Sequence, residues 1–289
     1  MPNLKIMWSV KRAFPERVKG AVLAVVDGDV VHAGGINQPW AESRNTYRYD
    51  IESDSWDMFA TIPEGLPYTQ GAAWNDTLIM AGSRSGGRAT DRCWQLSKTA
   101  GKWKWSAFPP LQGRRAGGRV VAVGSQIYAV GGGDWSHSHP GAFYPREVNP
   151  VIERIDLTDR DGDWERVDYP GKPGAAHFGA QVGGCLYLFG SYDCTVEDDQ
   201  RVVKMSDDAW CLNPANDIWS ALPSTPTPMY GGSATTLADR YVVMIGGVAP
   251  ADNPDERVGT SPAPDPYRPG ITISNYETAV RVFDTKTSQ

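Results

Sequence analysis

Apolar and polar positions along this chain repeat one pattern five times: a short apolar run, a polar turn and a second apolar run. The copies are LAVV-DG-DVVHA, AAW-ND-TLIMA, VVAV-GS-QIYAV, GAQV-GG-CLYLF and TTLA-DR-YVVMI. Runs of this length around such turn residues predict β-hairpins, because Asp, Asn and Gly accept the positive φ of tight turns. A third strand follows each hairpin, as YRYD ending at Asp50, WQLS at Ser97, RID at Asp156, WCLN at Asn213 and VFD at Asp284. Each closes on a short polar residue suited to start another turn. Trp56 and Trp219 stand six residues beyond Asp50 and Asn213, on a predicted fourth strand. No stretch has the period of an amphipathic helix.

A second regularity runs through the same copies. Trp8 to Gly34, Trp56 to Gly82, Trp105 to Gly131 and Trp164 to Gly190 are each 26 residues apart, and Trp219 to Gly246 is 27. The glycines recur at intervals of 48, 49, 59 and 56 residues. Repeated units of four antiparallel strands predict an all-β chain built as a β-propeller in one domain over residues 1–289. The constant Trp, and Tyr47, Trp94 and Trp210 in one third-strand column, are expected to pack between units.

The chain resembles the kelch family, whose mark is Gly-Gly after the second strand, an aromatic-Asp pair on the third and Trp on the fourth. Gly34-Gly35, Tyr49-Asp50 and Trp56 match in full; Gly131-Gly132 with Asp156 and Trp164 comes close. Gly246-Gly247 and Phe283-Asp284 lack the Trp, and the other copies have Gly82-Ser83 and Gly190-Ser191. The resemblance implies a kelch-type propeller, and the five copies predict five blades. Trp8 belongs to a fourth strand without its preceding three, and Phe283-Asp284 to a third without its fourth, so a strand at about residues 5–10 is expected to complete the last blade. The alternative is a fragment of a six-bladed propeller, because the missing Trp would fall directly after Gln289.

Composition narrows the function classes. With 28 Lys plus Arg against 34 Asp plus Glu, the chain has a net charge of −6, which argues against a nucleic-acid binder. No apolar h-region or 18-residue apolar segment occurs, so a cytoplasmic protein without membrane contact, and a monomer, is expected. Cys93, Cys185, Cys194 and Cys211 lack CxxC spacing and read as mostly buried or idle thiols. No cofactor or metal is expected: His137 and His139 form His-x-His, but only His32 and His177 remain as histidine partners.

Strand parity puts the loops between second and third strands on the same face as the entries to the innermost strands. Those loops vary in length while the rest of each copy is constant, and varied loops on a rigid scaffold are where recognition resides. The third loop carries Trp135 and His137, and the fifth carries Arg268 and Glu277. At the inner-strand entries stand Tyr68, Arg115, Arg119, His177 and Tyr230. A basic, aromatic rim suits a carboxylate-bearing sugar or an acidic peptide; alternatively, the arginines bridge neighbouring blades.

Two functions fit. One is a module that binds a protein segment or a carbohydrate. The other, implied by resemblance to bacterial kelch propellers that mutarotate sialic acid, is a carbohydrate mutarotase or isomerase. That family places a Glu directly after a second-strand Gly; here the equivalent positions are Ile36, Arg84, Gly133, Tyr192 and Val248, or Gly35, Ser83, Gly132, Ser191 and Gly247 one residue earlier. None is a carboxylate.

Overall fold

The computed structural model describes residues 6–37, 41–85, 88–134, 147–159, 162–172, 174–197, 200–250, 274–276 and 278–289. It is an all-β propeller of five antiparallel sheets. The first is Val22–Val26, Asp29–Ala33, Asn45–Asp50 and Ser55–Thr61; the second is Gln70–Trp74, Thr77–Ser85, Arg88–Thr99 and Lys102–Phe108. The third is Arg119–Val123, Gln126–Val130, Ile152–Asp156 and Glu165–Val167; the fourth is Phe178–Val182, Cys185–Glu197, Gln200–Asn213 and Ile218–Ala221. The fifth has three strands: Ser233–Leu237, Tyr241–Ile245 and Val280–Asp284. Within each sheet, strands follow chain order from the inner strand outward.

The predicted turns carry the positive φ that their residues permit, with Asp27 at 51° and Gly28 at 82°, and Gly183 at 57° and Gly184 at 74°. The fifth turn differs from expectation. Leu237 pairs with Tyr241, so the loop has three residues, Ala238 to Arg240, rather than Asp239-Arg240 alone.

Four apolar cores hold the sheets face to face. Val31 and Ile62 of the first meet Leu78 and Trp105 of the second; Ile79 and Cys93 meet Ile127 and Trp164 of the third. Val121 and Tyr128 then meet Leu186 and Leu212 of the fourth, and Phe178 and Phe189 meet Val242 and Phe283 of the fifth. The side chains in these cores are almost fully withdrawn from solvent, each contributing about 1.5–3 kcal/mol when a Val, Leu, Ile or Phe is buried. Among the described residues no such cluster joins the fifth sheet to the first.

The Trp-to-Gly register has a packing explanation. Trp164 donates its indole N–H to the Pro109 carbonyl (2.8 Å) and Trp219 to that of Asp168 (2.7 Å), each four residues past the preceding Trp. Trp56 likewise reaches Arg12 (3.2 Å), whereas Trp105 bonds Thr46 Oγ1 instead (2.9 Å). At the other end of the register, a Cβ on Gly82, Gly131 or Gly190 would collide with the carbonyl oxygen of Arg115, Gly174 or Met229, in the segment leading to the next sheet. Trp thus grips one neighbour and Gly admits the other.

A strand at about residues 5–10 does not complete the fifth sheet. Residues 6–14 form no strand, Trp8 is 73% exposed, and the sheet ends at Val280–Asp284. The N-terminal segment instead lies on the first sheet, where Phe14 packs on His32, Tyr47 and Trp56 with ring centroids 4.0, 5.2 and 4.9 Å apart.

Gly131→Ala is expected to destabilise the protein by about 3–5 kcal/mol, combining a left-handed backbone with a carbonyl clash. Gly183→Ala has φ +57° but no atom within 4 Å of its new Cβ, and should cost only about 1–2 kcal/mol. Urea unfolding of the two variants checks the difference.

Candidate functional site

Each inner strand is preceded, two residues earlier, by a residue with positive φ: Gly20 (64°), Tyr68 (56°), Gly117 (62°), Ala176 (55°) and Gly231 (76°). These residues form a relay from sheet to sheet. The Tyr68 N–H donates to Gly20 O (2.8 Å), Gly117 to Tyr68 O (2.9 Å), Ala176 to Gly117 O (2.9 Å) and Gly231 to Ala176 O (2.8 Å). Left-handed backbone costs a non-glycine residue about 1–2 kcal/mol, which Tyr68 and Ala176 tolerate because the relay bond holds them in place.

The loops between second and third strands begin beside this relay. Ala116 bridges to Gly133, Ala175 to Tyr192 and Tyr230 to Val248, so the inner-strand entries and these loops share one face. Short second-tier pairs add to it: Val18–Lys19 with Ile36–Asn37, Gly133–Asp134 with Glu147–Val148, and Val248–Pro250 with Ser274–Tyr276.

Inside the relay runs a central cavity of about 270 Å³, lined by Leu23, Ala72, Val121, Ala180 and Thr235, one from each inner strand. Arg119, first residue of the third inner strand, also lines it. Its guanidinium spans the axis. Nε donates to His177 O (2.9 Å), Nη1 to Gln70 Oε1 (3.3 Å) and Nη2 to Gly232 O (2.5 Å), tying four sheets together. Among the described residues no carboxylate pairs with it, and desolvation pulls its pKa down to about 10.

Arg115 does different work despite sitting four residues earlier. It is 2% exposed and ion-paired to Glu153, itself 1% exposed. Its Nη1 donates to the carbonyls of Ala129 (3.1 Å), Gly131 (3.1 Å) and Val151 (2.8 Å). Glu153 also accepts the backbone N–H groups of Gln112 (2.6 Å) and Gly113 (3.2 Å). This network anchors the lead-in of the third sheet and presents no charge to solvent.

The imidazole of His177 is buried between Gly131, Gly174 and Tyr169, with neither ring nitrogen hydrogen-bonded. Burial, with the nearby Arg119 charge, lowers its pKa to about 3, so it is neutral at physiological pH. Only its backbone carbonyl meets Arg119. Tyr230 is buried against Tyr192, ring centroids 4.6 Å apart, and Tyr68 packs half-buried against Ala89 and Ala116. Trp135, His137, Arg268 and Glu277 lie outside the described residues. Of these residues only Arg119 lines the central cavity, where it meets the His177 backbone carbonyl; Tyr68 packs apart, and Arg115 turns inward. Gln70, which orients Arg119, was not singled out in the sequence; it stands at the register position that opens the second inner strand.

Among the described residues, no group of three His, Cys, Asp or Glu side chains could hold a metal. The four cysteines are free thiols.

The fold defines a kelch-type propeller. No family profile matches the sequence. The chain is 22% identical to Beta-scruin of Limulus polyphemus over 215 residues, 70% of this chain and 22% of that protein. It is 21% identical to the Kelch-like protein terF of Aspergillus terreus over 259 residues, 83% of this chain and 52% of that one. A stretch of 97 residues is 32% identical to N-acetylneuraminate epimerase of Yersinia pestis, covering 33% of this chain and 24% of the enzyme. The solved structure of YjhT superposes with a TM-score of 0.68 at 15% identity, over 84% of each chain. The chain is similar to kelch-repeat propellers, and it spans from about a fifth to about half of the curated relatives it matches.

Two tests follow. Glu153→Gln should cost about 3–5 kcal/mol by leaving the Arg115 charge buried and unpaired, read from denaturant midpoints. For His177 the folded pKa lies below the usual 6.5, so its contribution is complete above pH 6.5 and is lost as pH falls toward 3. Stability should drop by about 1.4 kcal/mol per pH unit below 6.5, with His32, held to about 4 by burial, adding in the same direction. In His177→Phe the slope between pH 6.5 and 5 should be visibly shallower.

Proposed function

We propose that the chain is a binding module that holds an anionic group, the carboxylate of an acidic sugar or of an acidic protein segment, at the axis beside Arg119. The observation that carries this reading is a half-buried guanidinium held by three neutral oxygens and without a counter-charge among the described residues, at the point where all five inner strands converge. Charges withdrawn from water are ordinarily paired. Three neutral oxygens orient this one, leaving further N–H groups that a carboxylate can engage. The kelch-type relatives support a binding scaffold in general, and the fold alone does not choose the ligand.

A second reading, mutarotation of a sialic-acid-like sugar, is favoured by the 97-residue similarity to N-acetylneuraminate epimerase. It needs an acid and a base close to the sugar. Against it, the imidazole of His177 points away from the axis, and the positions after the second-strand glycines carry no carboxylate.

Calorimetric titration with N-acetylneuraminate and with an oligoglutamate peptide, each against a neutral sugar of similar size, tests the proposal. Binding of either anion should weaken by about tenfold or more in Arg119→Met, the value of one charged hydrogen bond. Equal affinity in that variant, or no binding of either anion, overturns the reading. Accelerated anomer exchange seen by NMR would favour the enzyme.

A further inference from the structure

A cleft of about 300 Å³ lies between the second and third sheets, at the end of the propeller opposite the loop face. Trp74 and Thr77, the pair that closes the first tight turn of the second sheet, mark that end. Trp74, Ile79, Phe108, Ile155 and Leu157 wall the cleft with apolar surface, and Gln95 and Asp159 stand among them. At the roughly 30 Å³ that one water takes in the liquid, the space equals about ten waters.

The strand register explains why this interface keeps a cleft. Ile79 lies opposite Gln95 on the second and third strands of the second sheet. In the third sheet the same pair is Tyr128 with Arg154, and in the fourth it is Tyr187 with Cys211. On the outer strand Gln95 meets Ser106, where Arg154 meets Glu165. Tyr128 is buried in the core that the third sheet shares with the fourth. Arg154 crosses to the fourth sheet, its Nη2 donating to Asp217 Oδ2 (3.0 Å), while its Nε donates to Glu165. Gln95 instead donates to Ser106 Oγ (3.2 Å) within its own sheet. The cleft is therefore the space that a phenol ring and a guanidinium take up in the next interface.

The carboxylate side of that arrangement is kept. Asp217 stands in the turn before the outer strand of the fourth sheet. The corresponding turn of the third sheet is two residues longer, with eight residues from Asp156 to Trp164 against six from Asn213 to Trp219, and it brings Asp159 to the lining. No Lys, Arg or His is among the residues that line the cleft. Lys104, on the outer strand of the second sheet, is exposed. The interface between the first and second sheets shows how a cation sits in such a place: Lys98 pairs with Asp27 of the neighbouring sheet, its Nζ 4.9 Å from the ring centroid of Trp103.

We propose that this cleft binds a small organic cation with an aromatic body, an arylamidinium or arylalkylammonium of about ten heavy atoms. Its ring takes the place that Tyr128 fills in the next interface, against Trp74, Phe108 and Ile79, and its charge takes the place of Arg154, facing Asp159. The site is separate from the axis, selects the opposite charge and does not rest on the reading of Arg119.

Calorimetric titration of the chain with benzamidine, beside its neutral isostere benzamide and the anion benzoate, tests the proposal. Benzamidine should bind about tenfold or more tightly than either, and Asp159→Asn should remove most of that preference. Gln95→Arg, which restores the residue that crosses the next interface, should abolish binding in a protein whose urea midpoint shows it folded; Ile79→Tyr, which refills the ring position, should do the same. Absence of saturable benzamidine binding, equal binding of benzamide, or unaltered binding in folded Gln95→Arg overturns the proposal. So does binding that appears only in Lys104→Met, because the chain's own lysine then occupies the cleft.

Discussion

The structure depends on how closely one sheet's backbone can approach the next. At Gly82, Gly131 and Gly190 the carbonyl of the following lead-in segment occupies the space of a Cβ. Glycine at these positions is therefore a packing requirement as well as a conformational one, since the same residues take φ of 66°, 55° and 53°. Close approach brings the lead-in backbones within hydrogen-bonding range around the axis, which builds the relay through Tyr68, Gly117, Ala176 and Gly231. The large core residues between sheets then fill the space farther out.

This constraint explains why so much of the architecture was legible in the chain. A repeat in which Trp reaches one neighbour and Gly admits the other must keep the distance between them, whatever happens in the loops. Hairpins with Asp-Gly and Gly-Gly turns carried their own conformational signal, and their registers agree with the pattern. Closure was less legible. Trp8 has the spacing of an outer-strand residue, but strand pairing needs a partner edge, and spacing within a chain does not say which edge lies beside it. The three-residue loop at Ala238–Arg240 was missed because Ala carries no turn signal, although here it takes φ 52°.

The candidate site shows the same division. The entry positions of the inner strands could be found by counting, and Arg119 at one of them lines the central cavity and meets the His177 carbonyl. Sequence alone left open whether the two arginines served a ligand or the fold, because the deciding residue, Glu153, lies 38 positions from Arg115 and reaches it only through the third sheet. A buried carboxylate commits Arg115 to the interior. Arg119, surrounded by neutral oxygens, keeps its charge available at the axis. Likewise nothing in the residue type of His177 told that its ring would turn into the space between Gly131 and Gly174 while its carbonyl faced the arginine.

Native-state hydrogen exchange at the four donating relay amides, Tyr68, Gly117, Ala176 and Gly231, tests the central claim most directly. If close approach between sheets organises the molecule, these lead-in amides exchange as slowly as the core amides of Ile127 and Leu188, through global unfolding alone. Exchange at the rate of exposed turn amides such as Ser53 would contradict the account, because the sheets would then be held by their apolar faces without the backbone contact that the glycines permit.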